Sequence, residues 1–413
     1  MKQYFQIIKD PRFRLVQNDH RPFVDGPAPR RVRLNREGFA ITPGIKKKTL
    51  VSPGMLLAEH PSLDKGDLHA PIYGMITEIN ARSIFVDAMD PADASPGSFP
   101  DTPEPVDLIR QGLEGEALVL AVKTMGVNTR SLGRRTKTLI VNALNPEPGV
   151  RWAEPMLVEH ADEIRAGLEL QRRFHRADEI LLAVPTGCSV RFSGVKTVEV
   201  DPVYPNSVNE LLIKEVTGEE APPDVAAVGL HNVWSLGRVA RTGLPLTETV
   251  ITIGTATDWA NYVVKNGSLV GELLEFLNIS LQSGDTILRG GPLRGESLDR
   301  LDRSITKGAY GFFVVNAGEV PPIEGDSPCI NCGACIQVCP TRIDPRMLSR
   351  YAEFGKYNMS RKENFRLCID CGLCGYVCIA RRPVLQYIRL AVKRLEEEER
   401  LANLTPLEPV GRA

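Results

Sequence analysis

Eight of the nine cysteines in this 413-residue chain lie in two runs that share one spacing, Cys-x2-Cys-x2-Cys-x3-Cys. In two-cluster ferredoxins such a run gives three thiolates to one 4Fe-4S cluster, and its fourth thiolate binds the other cluster. The duplicated spacing therefore predicts two 4Fe-4S clusters with crossed ligand sets. The first set is Cys329, Cys332, Cys335 and Cys378, and the second is Cys368, Cys371, Cys374 and Cys339.

Structural zinc and disulfide bonds are the two alternative explanations for these cysteines. Zinc sites commonly join two separated Cys-x2-Cys hairpins, which would leave the third and fourth cysteines of each run unexplained. Disulfides need an oxidising compartment, and residues 1–10 lack the apolar core of a signal peptide. Pro340 supports the crossover of the first run, whereas Ile379 stands at the equivalent position of the second. The ninth cysteine, Cys188, is predicted to be a small inert thiol.

Length and charge restrict the classes of protein to which this chain can belong. A single hydrophobic core rarely serves more than about 250–300 residues, so several domains are expected. Basic residues number 50 and acidic residues 51, without a long basic block, which argues against nucleic acid as a partner. Since no apolar run reaches about 18 residues, no membrane span is expected. The six histidines show no metal-ligand spacing, and we assign no catalytic residue.

Residues 31–90 alternate short apolar runs with turn residues, a pattern typical of a small all-β unit. Within this segment, residues 70–76 resemble the hairpin of a lipoyl-type barrel-sandwich domain, but no lysine occupies the hairpin tip. The unit is therefore predicted to be a scaffold rather than a carrier. Five prolines between Pro91 and Pro105 then predict a loop or linker.

From about residue 115 to 245 the pattern changes to alternating strands and helices. Buried strands are predicted at residues 138–142, 179–184 and 195–200. A long amphipathic helix is predicted from about Pro155, and a second helix opens with a capping box at Ser207 and stops at Gly218. This order favours a parallel sheet covered by helices, with a cleft at the strand ends where nucleotides often bind.

Glycines decide whether that cleft can hold a nucleotide, because phosphate binding needs backbone amides that approach closely at a helix start. Between residues 110 and 135 the glycines are single, and no compact G-x-G-x-x-G element occurs. Residues 290–295 are rich in glycine but precede no long helix, so they are predicted to form a turn in a small β-rich domain. Residues 247–316, with a helix capped by Ser268, have the outline of a β-grasp module.

Taken in order, these segments resemble the RnfC subunit of Rnf ferredoxin:NAD oxidoreductases and, more loosely, NqrA and the flavoprotein subunit of complex I. The resemblance extends from about residue 31 to 392, and besides the cysteine runs it rests on residues 139–148, 156–160, 204–206 and 290–295. It implies a multidomain α/β plus β protein. The implied parts are a barrel-sandwich hybrid domain (residues 1–95), a Rossmann-like α/β domain (96–245), an SLBB β-grasp domain (246–320), an α-helical two-cluster ferredoxin domain (321–392) and a tail (393–413).

The chain departs from this family where the family binds flavin. Members carry a glycine-rich loop, G-x-G-G-A-G-F-P, that holds FMN and NADH, but the corresponding region here is only residues 125–129. The family's Asn-Gly-Ala-Glu-Cys-Glu-Pro is replaced by residues 142–148, which lack a glycine and an acidic side chain. Trp234 places a bulky indole beside the expected flavin pocket. These changes indicate a Rossmann-like domain that was retained for packing and docking after flavin binding was lost.

The leading hypothesis is an electron-transfer subunit whose two 4Fe-4S clusters relay single electrons between a protein donor or acceptor and other subunits of a redox complex. The donor or acceptor is expected to be a ferredoxin, a flavoprotein or a dehydrogenase. The alternative is an FMN-containing NADH dehydrogenase subunit that passes electrons from NADH to its clusters. A third hypothesis is a structural subunit with electrically idle clusters. The expected location is cytoplasmic, or peripheral on the inner face of the membrane through partner subunits.

Two features of the cysteine-rich region leave alternatives open. Four residues inside the ligand loops either bring backbone amides close to cluster sulfurs or serve as ordinary turn residues: Asn331, Gly333, Asp370 and Gly372. A helix is predicted around residues 347–354 and a last one from about Pro383. The last helix carries an apolar stripe beside basic residues, so it either packs on the ferredoxin domain or contacts a membrane surface.

Overall fold

The computed structural model describes residues 13–16, 20–130, 135–255, 257–318 and 327–404. The predicted boundary between residues 320 and 321, the first twelve residues and the last nine lie outside the described ranges. The chain forms two compact units, one from Phe13 to Ala317 and one that begins at Gly318. With several sheets and many helices, it is a mixed α/β protein, which confirms the predicted class at this level.

The first unit starts with two short strands, β1 (Phe13–Arg14) and β2 (Phe23–Asp25), which pair with strands that come later in the chain. Seven strands follow: β3 (Arg31–Asn35), β4 (Ala40–Ile41), β5 (Leu50–Val51), β6 (Leu56–Glu59), β7 (Leu68–His69), β8 (Gly74–Ile79) and β9 (Ser83–Ala88). They form a four-stranded sheet, β3-β9-β8-β5, and a three-stranded sheet, β4-β6-β7. Val32, Leu57 and Ile84 are buried in their common core, so the alternating apolar residues produce the all-β unit that the sequence predicts.

The next segment alternates helices with parallel strands. Its elements are α1 (Gly115–Thr124), β10 (Thr138–Asn142), α2 (Ala153–Glu159), α3 (Ala161–His175), β11 (Glu179–Pro185), β12 (Lys196–Val200), β13 (Val203–Tyr204), α4 (Asn209–Thr217), β14 (Val225–Gly229) and α5 (Leu230–Thr242). Strands β12-β11-β10-β14 form one sheet in which every neighbouring pair is parallel, and β13 pairs with β1. Successive residues Leu139, Ile140 and Val141 are all buried, because both faces of this sheet are covered. The predicted parallel sheet is thus confirmed.

Helices α3 and α5 pack against each other at two glycines. A Cβ atom added to Gly237 on α5 would lie 1.6 Å from the carbonyl oxygen of Glu163 on α3. A Cβ atom added to Gly167 on α3 would lie 2.0 Å from the carbonyl oxygen of Val233 on α5. The lack of a side chain at both positions therefore permits the close approach of the two helices.

The long helix predicted from Pro155 is two helices in the structure. His160 has non-helical backbone angles, and it ends α2 and precedes α3. The prediction was wrong because the apolar pattern continues across this turn. The predicted end of α4 at Gly218 is confirmed, since this residue caps the helix in the left-handed conformation (φ 78°).

The rest of the first unit is a six-stranded sheet with one helix. Its elements are β15 (Glu248–Gly254), β16 (Trp259–Lys265), α6 (Val270–Phe276), β17 (Thr286–Arg289), β18 (Glu296–Leu298) and β19 (Gly311–Val315). The strand order is β18-β17-β19-β15-β16-β2, so β2 from the first part of the chain forms one edge and runs parallel to β16. Residues 290–295 connect the antiparallel pair β17 and β18, which agrees with the predicted turn.

Neither serine that was predicted to cap a helix does so. The N-cap of α4 is Val208, and the hydroxyl of Ser207 instead donates to the carbonyl oxygen of Pro146 (3.4 Å). Ser268 lies one residue before the N-cap of α6, and its hydroxyl donates to the carbonyl oxygen of Lys265 (2.8 Å). Both hydroxyls find an acceptor outside the helix, so the first turns of α4 and α6 have no side-chain cap.

The described part of the second unit is helical. Its helices are α7 (Ala334–Gln337), α8 (Pro345–Glu353), α9 (Tyr357–Ser360), α10 (Leu373–Tyr376) and α11 (Val384–Leu404). Leu348 of α8 packs with Ile388 and Leu395 of α11 in the core, so the apolar stripe of the last helix is buried within this unit. Among the described helices, none has the length and hydropathy needed to cross a bilayer.

Candidate iron-sulfur sites

The two cysteine runs fold into loops with the same backbone conformation. Asn331 and Asp370 have φ angles of 57° and 56°, and Gly333 and Gly372 have φ angles of 77° and 79°. This left-handed region favours glycine and tolerates asparagine and aspartate, which explains the residue types at these positions. A Cβ atom at Gly333 would meet no described atom within 4 Å, so the backbone angle rather than crowding by the protein requires glycine there. The four residues therefore act as turn residues. The backbone N–H of Asp370 also donates to the sulfur of Cys368, and contact of these amides with cluster sulfur stays a prediction.

The exits of the two runs also match, although proline follows only the first. Arg342 and Arg381, each three residues after the last cysteine of its run, have left-handed φ angles of 59° and 51°. Their backbone N–H groups donate to the carbonyl oxygens of Cys339 (3.2 Å) and Cys378 (2.9 Å). Ile379 in place of proline therefore leaves the exit turn unchanged.

The eight cysteines of the runs surround two small cavities in the second unit, named cavity 1 and cavity 2. Cavity 1 is lined by Cys329, Cys332, Cys335 and Cys378, and cavity 2 by Cys339, Cys368, Cys371 and Cys374. The fourth cysteine of each run thus reaches the cavity of the other run. The structure brings together the same two sets of four that the spacing predicts, and the binding of a cluster by each set belongs to the proposal below.

No group of three histidine, cysteine, aspartate or glutamate side chains within the described ranges is arranged to hold a single metal ion. A structural zinc ion would need its four ligands gathered around one point. In a 4Fe-4S cluster the thiolates bind different iron atoms and lie farther apart. Four cysteines spread around the wall of a cavity are compatible with the second arrangement.

The cysteines of cavity 2 are more deeply buried than those of cavity 1. Cys371 and Cys374 are 8% and 7% exposed, whereas Cys332 is an exposed residue. Burial raises the pKa of Cys374 far above its usual value, and burial also raises the pKa of Cys335. A buried thiol keeps its proton unless a cation replaces it, and iron binds the thiolate. A metal bound by these cysteines would therefore displace their protons.

Two arginines, Arg346 and Arg382, also line cavity 1. The side chain of Arg382 is only 4% exposed and donates to Glu353 (2.6 Å), while its backbone N–H donates to the sulfur of Cys378 (3.4 Å). Arg346 donates to Asp344 (2.9 Å). In the described part of the chain, the buried Nε atom of each arginine has no hydrogen-bond partner. Such donors fit a site that receives an acceptor, and the sulfur atoms of a cluster are acceptors.

Cavity 2 has a different lining. Apart from the cysteines, its described lining residues carry no charge and are mostly apolar: Pro340, Thr341, Ile343, Pro345, Ile369, Gly372, Leu385 and Ile388. The hydroxyl oxygen of Thr341 lies 3.5 Å from the sulfur of Cys339. Arg389 donates twice to Asp370 (2.6 and 2.7 Å), and neither residue lines the cavity.

In the first unit, the short segment at residues 125–129, predicted to stand in place of a flavin-binding loop, is tied to the all-β part. The Nζ atom of Lys307 donates to the carbonyl oxygens of Asp67 (2.5 Å) and Gly126 (2.7 Å). Burial lowers the pKa of Lys307 to about 7. These contacts occupy the backbone of the segment with partners from the chain itself.

The loop between β17 and β18 encloses a buried carboxylate. Glu147 is completely buried and accepts hydrogen bonds from the N–H groups of Gly291 (3.0 Å), Leu293 (3.0 Å) and Arg294 (3.1 Å) and from the hydroxyl of Tyr310 (2.5 Å). Burial and the adjacent carboxylate raise the pKa of Tyr310 far above its usual value. Converging backbone N–H groups form an anion-binding concavity, and a side chain of the same chain fills this one.

Trp234 and Cys188, both noted in the sequence, are core residues. The indole of Trp234 is buried, with its ring centre 5.9 Å from that of His160 and 5.7 Å from that of His231. Cys188 is buried, and burial raises the pKa of its thiol, which agrees with a small inert thiol.

Three residues of these sites, Arg346, Arg382 and Glu147, were not identified from the sequence. Glu147 lies in a segment, residues 139–148, that carries the resemblance and was noted for a missing glycine and a missing acidic side chain, but no role was predicted for Glu147 itself. Arg382 follows Cys378 by four residues, so its charge next to a ligand was visible in the sequence. That both arginines line the same cavity depends on how the helices pack, and no sequence pattern indicates it.

Comparison with known proteins relates both the cysteine-rich region and nearly the whole chain to described families. A model of the 4Fe-4S dicluster domain matches residues 322–379. The C subunit of the proton-translocating ferredoxin:NAD(+) oxidoreductase complex of Clostridium ljungdahlii is 24% identical over 424 residues, which cover 93% of this chain and 91% of that protein. The C subunit of an ion-translocating oxidoreductase complex of Rhodobacter capsulatus is 26% identical over 417 residues, covering 90% and 79%. In a solved NAD+-reducing NiFe-hydrogenase, one chain is 14% identical with a TM-score of 0.42, covering 74% of this chain and 63% of that one.

Proposed function

We propose, from the premise that the chain is RnfC-like, that it is the iron-sulfur electron-transfer subunit of an Rnf-like oxidoreductase complex. In this role it relays single electrons between redox partner subunits. Its similarity to the Clostridium and Rhodobacter proteins over 93% and 90% of its length supports membership of such a complex. The dicluster match at residues 322–379 supports the iron-sulfur function.

The observation that carries this proposal is the arrangement of eight cysteines around two cavities of one helical unit. A 4Fe-4S cluster bound at each cavity would supply one-electron transfer. The two cavities are neighbours, because Cys335 of cavity 1 packs against the same small core that contains Cys374 of cavity 2. Two sites so close together suit the passage of electrons from one to the other.

The chain's own residues bind and shield these sites. We propose Cys329, Cys332, Cys335 and Cys378 as the ligands at cavity 1 and Cys368, Cys371, Cys374 and Cys339 as those at cavity 2. Leu385 and Ile388 of α11 exclude water from cavity 2, while Arg346 and Arg382 supply positive charge and N–H donors at cavity 1.

For the architecture we propose the finer assignment that the resemblance implies. The two small sheets of residues 31–88 suit a barrel-sandwich hybrid domain, and the parallel sheet β12-β11-β10-β14 suits a Rossmann-like domain. The six-stranded sheet with α6 suits an SLBB β-grasp domain. The helical second unit suits an α-helical two-cluster ferredoxin domain. We propose the predicted boundaries at residues 95, 245 and 320. Helix α11 continues through residue 392 and its Leu395 packs in the core of the second unit, so we place the last boundary after this helix.

Two features of the first unit support the proposal that the protein no longer binds flavin. Lys307 holds the carbonyl oxygen of Gly126 in the segment that replaces the family's flavin loop. The N–H groups of the loop between β17 and β18 bind Glu147 instead of an external anion. Both sets of backbone groups are therefore engaged within the chain.

An FMN-containing NADH dehydrogenase subunit is the second candidate function, and one observation favours it. The four-stranded sheet is parallel, so its strands end at one edge, where nucleotides bind in many α/β proteins. This candidate would require FMN and NAD(H) in addition to the two clusters.

For partners we propose other subunits of the complex together with a protein electron donor or acceptor. For location we propose peripheral attachment to the inner face of the membrane through those subunits. The relatives are named as subunits of proton-translocating or ion-translocating complexes, which supports both statements.

Metal and flavin analysis of the anaerobically purified full chain tests the proposal. We expect about eight irons and about eight sulfides per chain and no stoichiometric FMN after acid extraction. Cys332→Ser should lower the iron content, whereas Cys188→Ser, at the buried cysteine outside both cavities, should retain all of it.

Two results would contradict this proposal in different ways. An iron content well below eight in wild-type protein, or an unchanged iron content in Cys332→Ser, would argue against two clusters. Stoichiometric FMN, or reduction of the clusters by NADH without a partner, would favour the dehydrogenase instead.

A further inference from the structure

Cavities 1 and 2 differ in the surroundings that control the reduction potential of an iron-sulfur cluster. Positive charge and hydrogen bonds to sulfur raise the potential, because the reduced cluster carries one more negative charge than the oxidised one. Exposure to water acts in the same direction, since water stabilises the added charge. In the described part of the chain, both the charges and the exposure to water favour a higher reduction potential at cavity 1.

The charge difference comes from Arg346 and Arg382, which line cavity 1, while the lining of cavity 2 contains no charged side chain apart from its cysteines. The buried Nε atom of each arginine has no partner among the described residues, so each has an N–H group to offer to an acceptor in the cavity. The backbone N–H of Arg382 already donates to the sulfur of Cys378 (3.4 Å).

Acidic residues partly oppose this effect. Asp344 pairs with Arg346 (2.9 Å) and Glu353 with Arg382 (2.6 Å), yet neither carboxylate lines cavity 1. The charges of both arginines act on Cys329 of cavity 1, whereas the charge of Asp344 acts on Cys335 in the opposite sense. At cavity 2 the pair of Arg389 with Asp370 lies outside the lining, and its two charges act on Cys368 in opposite directions.

The exposure difference comes from the cysteines. Cys332 of cavity 1 is exposed, whereas Cys371 and Cys374 of cavity 2 are buried. The side chain of Ile330, inside the first run, is also exposed, so water reaches the ligand loop of cavity 1. Charge and exposure thus point in the same direction, although they arise from different residues.

We infer that the site at cavity 1 has the higher reduction potential and that Arg346 and Arg382 set this order by donating their Nε–H groups to cluster sulfur. The inference rests on the proposed binding of two clusters. Electrons delivered one at a time then occupy cavity 1 before cavity 2.

Potentiometric titration of the full iron-replete chain, followed by electron paramagnetic resonance, tests the inference. Arg346→Gln removes one charge and one donor at a side chain that is 30% exposed, so the fold should tolerate it. We expect the higher of the two midpoint potentials to fall and the lower one to stay. Asp344→Asn makes the opposite change, because it leaves Arg346 without its acidic partner while asparagine can still accept from the N–H of Met347 at the start of α8. The higher midpoint potential should then rise.

Arg389→Gln is the matched control, since it also breaks an arginine–aspartate pair in this unit but lies outside the lining of cavity 1. It should leave the higher midpoint potential unchanged. A shift of the lower midpoint in Arg346→Gln, or no shift in either of the first two variants while both clusters are retained, overturns the inference. Failure of the proposed function looks different, because wild-type protein would then lack one or both clusters. If Arg346→Gln loses iron, Arg346→Lys, which keeps the charge but lacks the Nε–H donor, is titrated in its place, and an unchanged higher midpoint potential would then overturn the inference.

Discussion

Glu147 holds the loop between β17 and β18 through three backbone N–H groups and the hydroxyl of Tyr310. Glu147→Gln keeps the shape of this side chain but removes its charge and replaces one acceptor oxygen by a donor. We expect a loss of about 2 kcal/mol in the free energy of unfolding, because hydrogen bonds to a charged group are the stronger ones. Faster hydrogen exchange at the amides of Gly291, Leu293 and Arg294, measured by mass spectrometry, should accompany it.

Glu296→Gln serves as the control for that change. Glu296 lies on the neighbouring strand β18 and forms an exposed ion pair with Arg289 (2.5 Å). Exposed ion pairs contribute little, so exchange at the three amides should stay as in the wild type. Equal acceleration in both variants would show that the buried carboxylate does not hold the loop.

The buried Lys307 makes the stability of the first unit depend on pH. Burial lowers its pKa from 10.5 to about 7, so the full cost of burying the charge is present below pH 7. Above pH 7 the unfolded chain binds more protons than the folded chain, and the folded state gains stability as the pH rises toward 10. We expect wild-type protein to gain stability over this window relative to Lys307→Met, as measured by urea unfolding at several pH values. A constant difference between the two proteins would mean that the buried lysine keeps its proton.

At the level of elements, the crossing of α3 and α5 depends on Gly237. A Cβ atom there would lie 1.6 Å from the backbone oxygen of Glu163, which has no rotamer to move away. Gly237→Ala must therefore push the two helices apart, and we expect a loss of about 3 kcal/mol in the free energy of unfolding. Denaturant unfolding followed by circular dichroism measures it.

Gly229→Ala is the matched control, because a Cβ atom at this residue, just before α5, would meet no described atom within 4 Å. Its cost should stay below about 1 kcal/mol. A similar loss in both variants would show that the close contact at Gly237 does not limit the packing of the helices.

Some strands and caps of this fold can be predicted from the sequence, and others cannot. Strands β10 and β11 are predictable because they are buried on both faces and read as continuous apolar runs. Strands β1 and β2 are not, since they have two and three residues and gain their partners, β13 and β16, from distant parts of the chain. The caps expected at Ser207 and Ser268 failed for the same reason, because their acceptors are set by the local course of the folded backbone.

The same limit applies to the candidate sites. Cysteine spacing predicts the two sets of four, because short loops and one crossover leave few alternatives. The arginines at cavity 1 and the carboxylate of Glu147 come close to their partners only through packing. The spacing of these residues along the chain does not predict that packing.

For the whole molecule, the two units should respond differently to the loss of iron. The core of the second unit is small and includes Cys374, with Cys335, Cys339, Cys368 and Cys378 packed against it. Where metal ligands form part of a small core, binding energy contributes to folding energy. We expect removal of iron by a chelator under reducing conditions to abolish exchange protection in residues 327–404. Residues 135–255 should keep theirs, as measured by hydrogen-exchange mass spectrometry.

The first unit acts as the internal control in that experiment, since its core contains none of the eight run cysteines. Protection that persists in residues 327–404 without iron would show that helix packing alone sustains the second unit. Loss of protection in both units would show that they do not unfold independently.

The exchange of Cys339 and Cys378 between the two halves of the second unit has a consequence for maturation. Neither half can complete its own quartet of sulfurs until the other half has packed against it. Assembly should therefore be all-or-none. Each chain should carry either both inorganic cores or none, and half-loaded chains should be scarce during biogenesis.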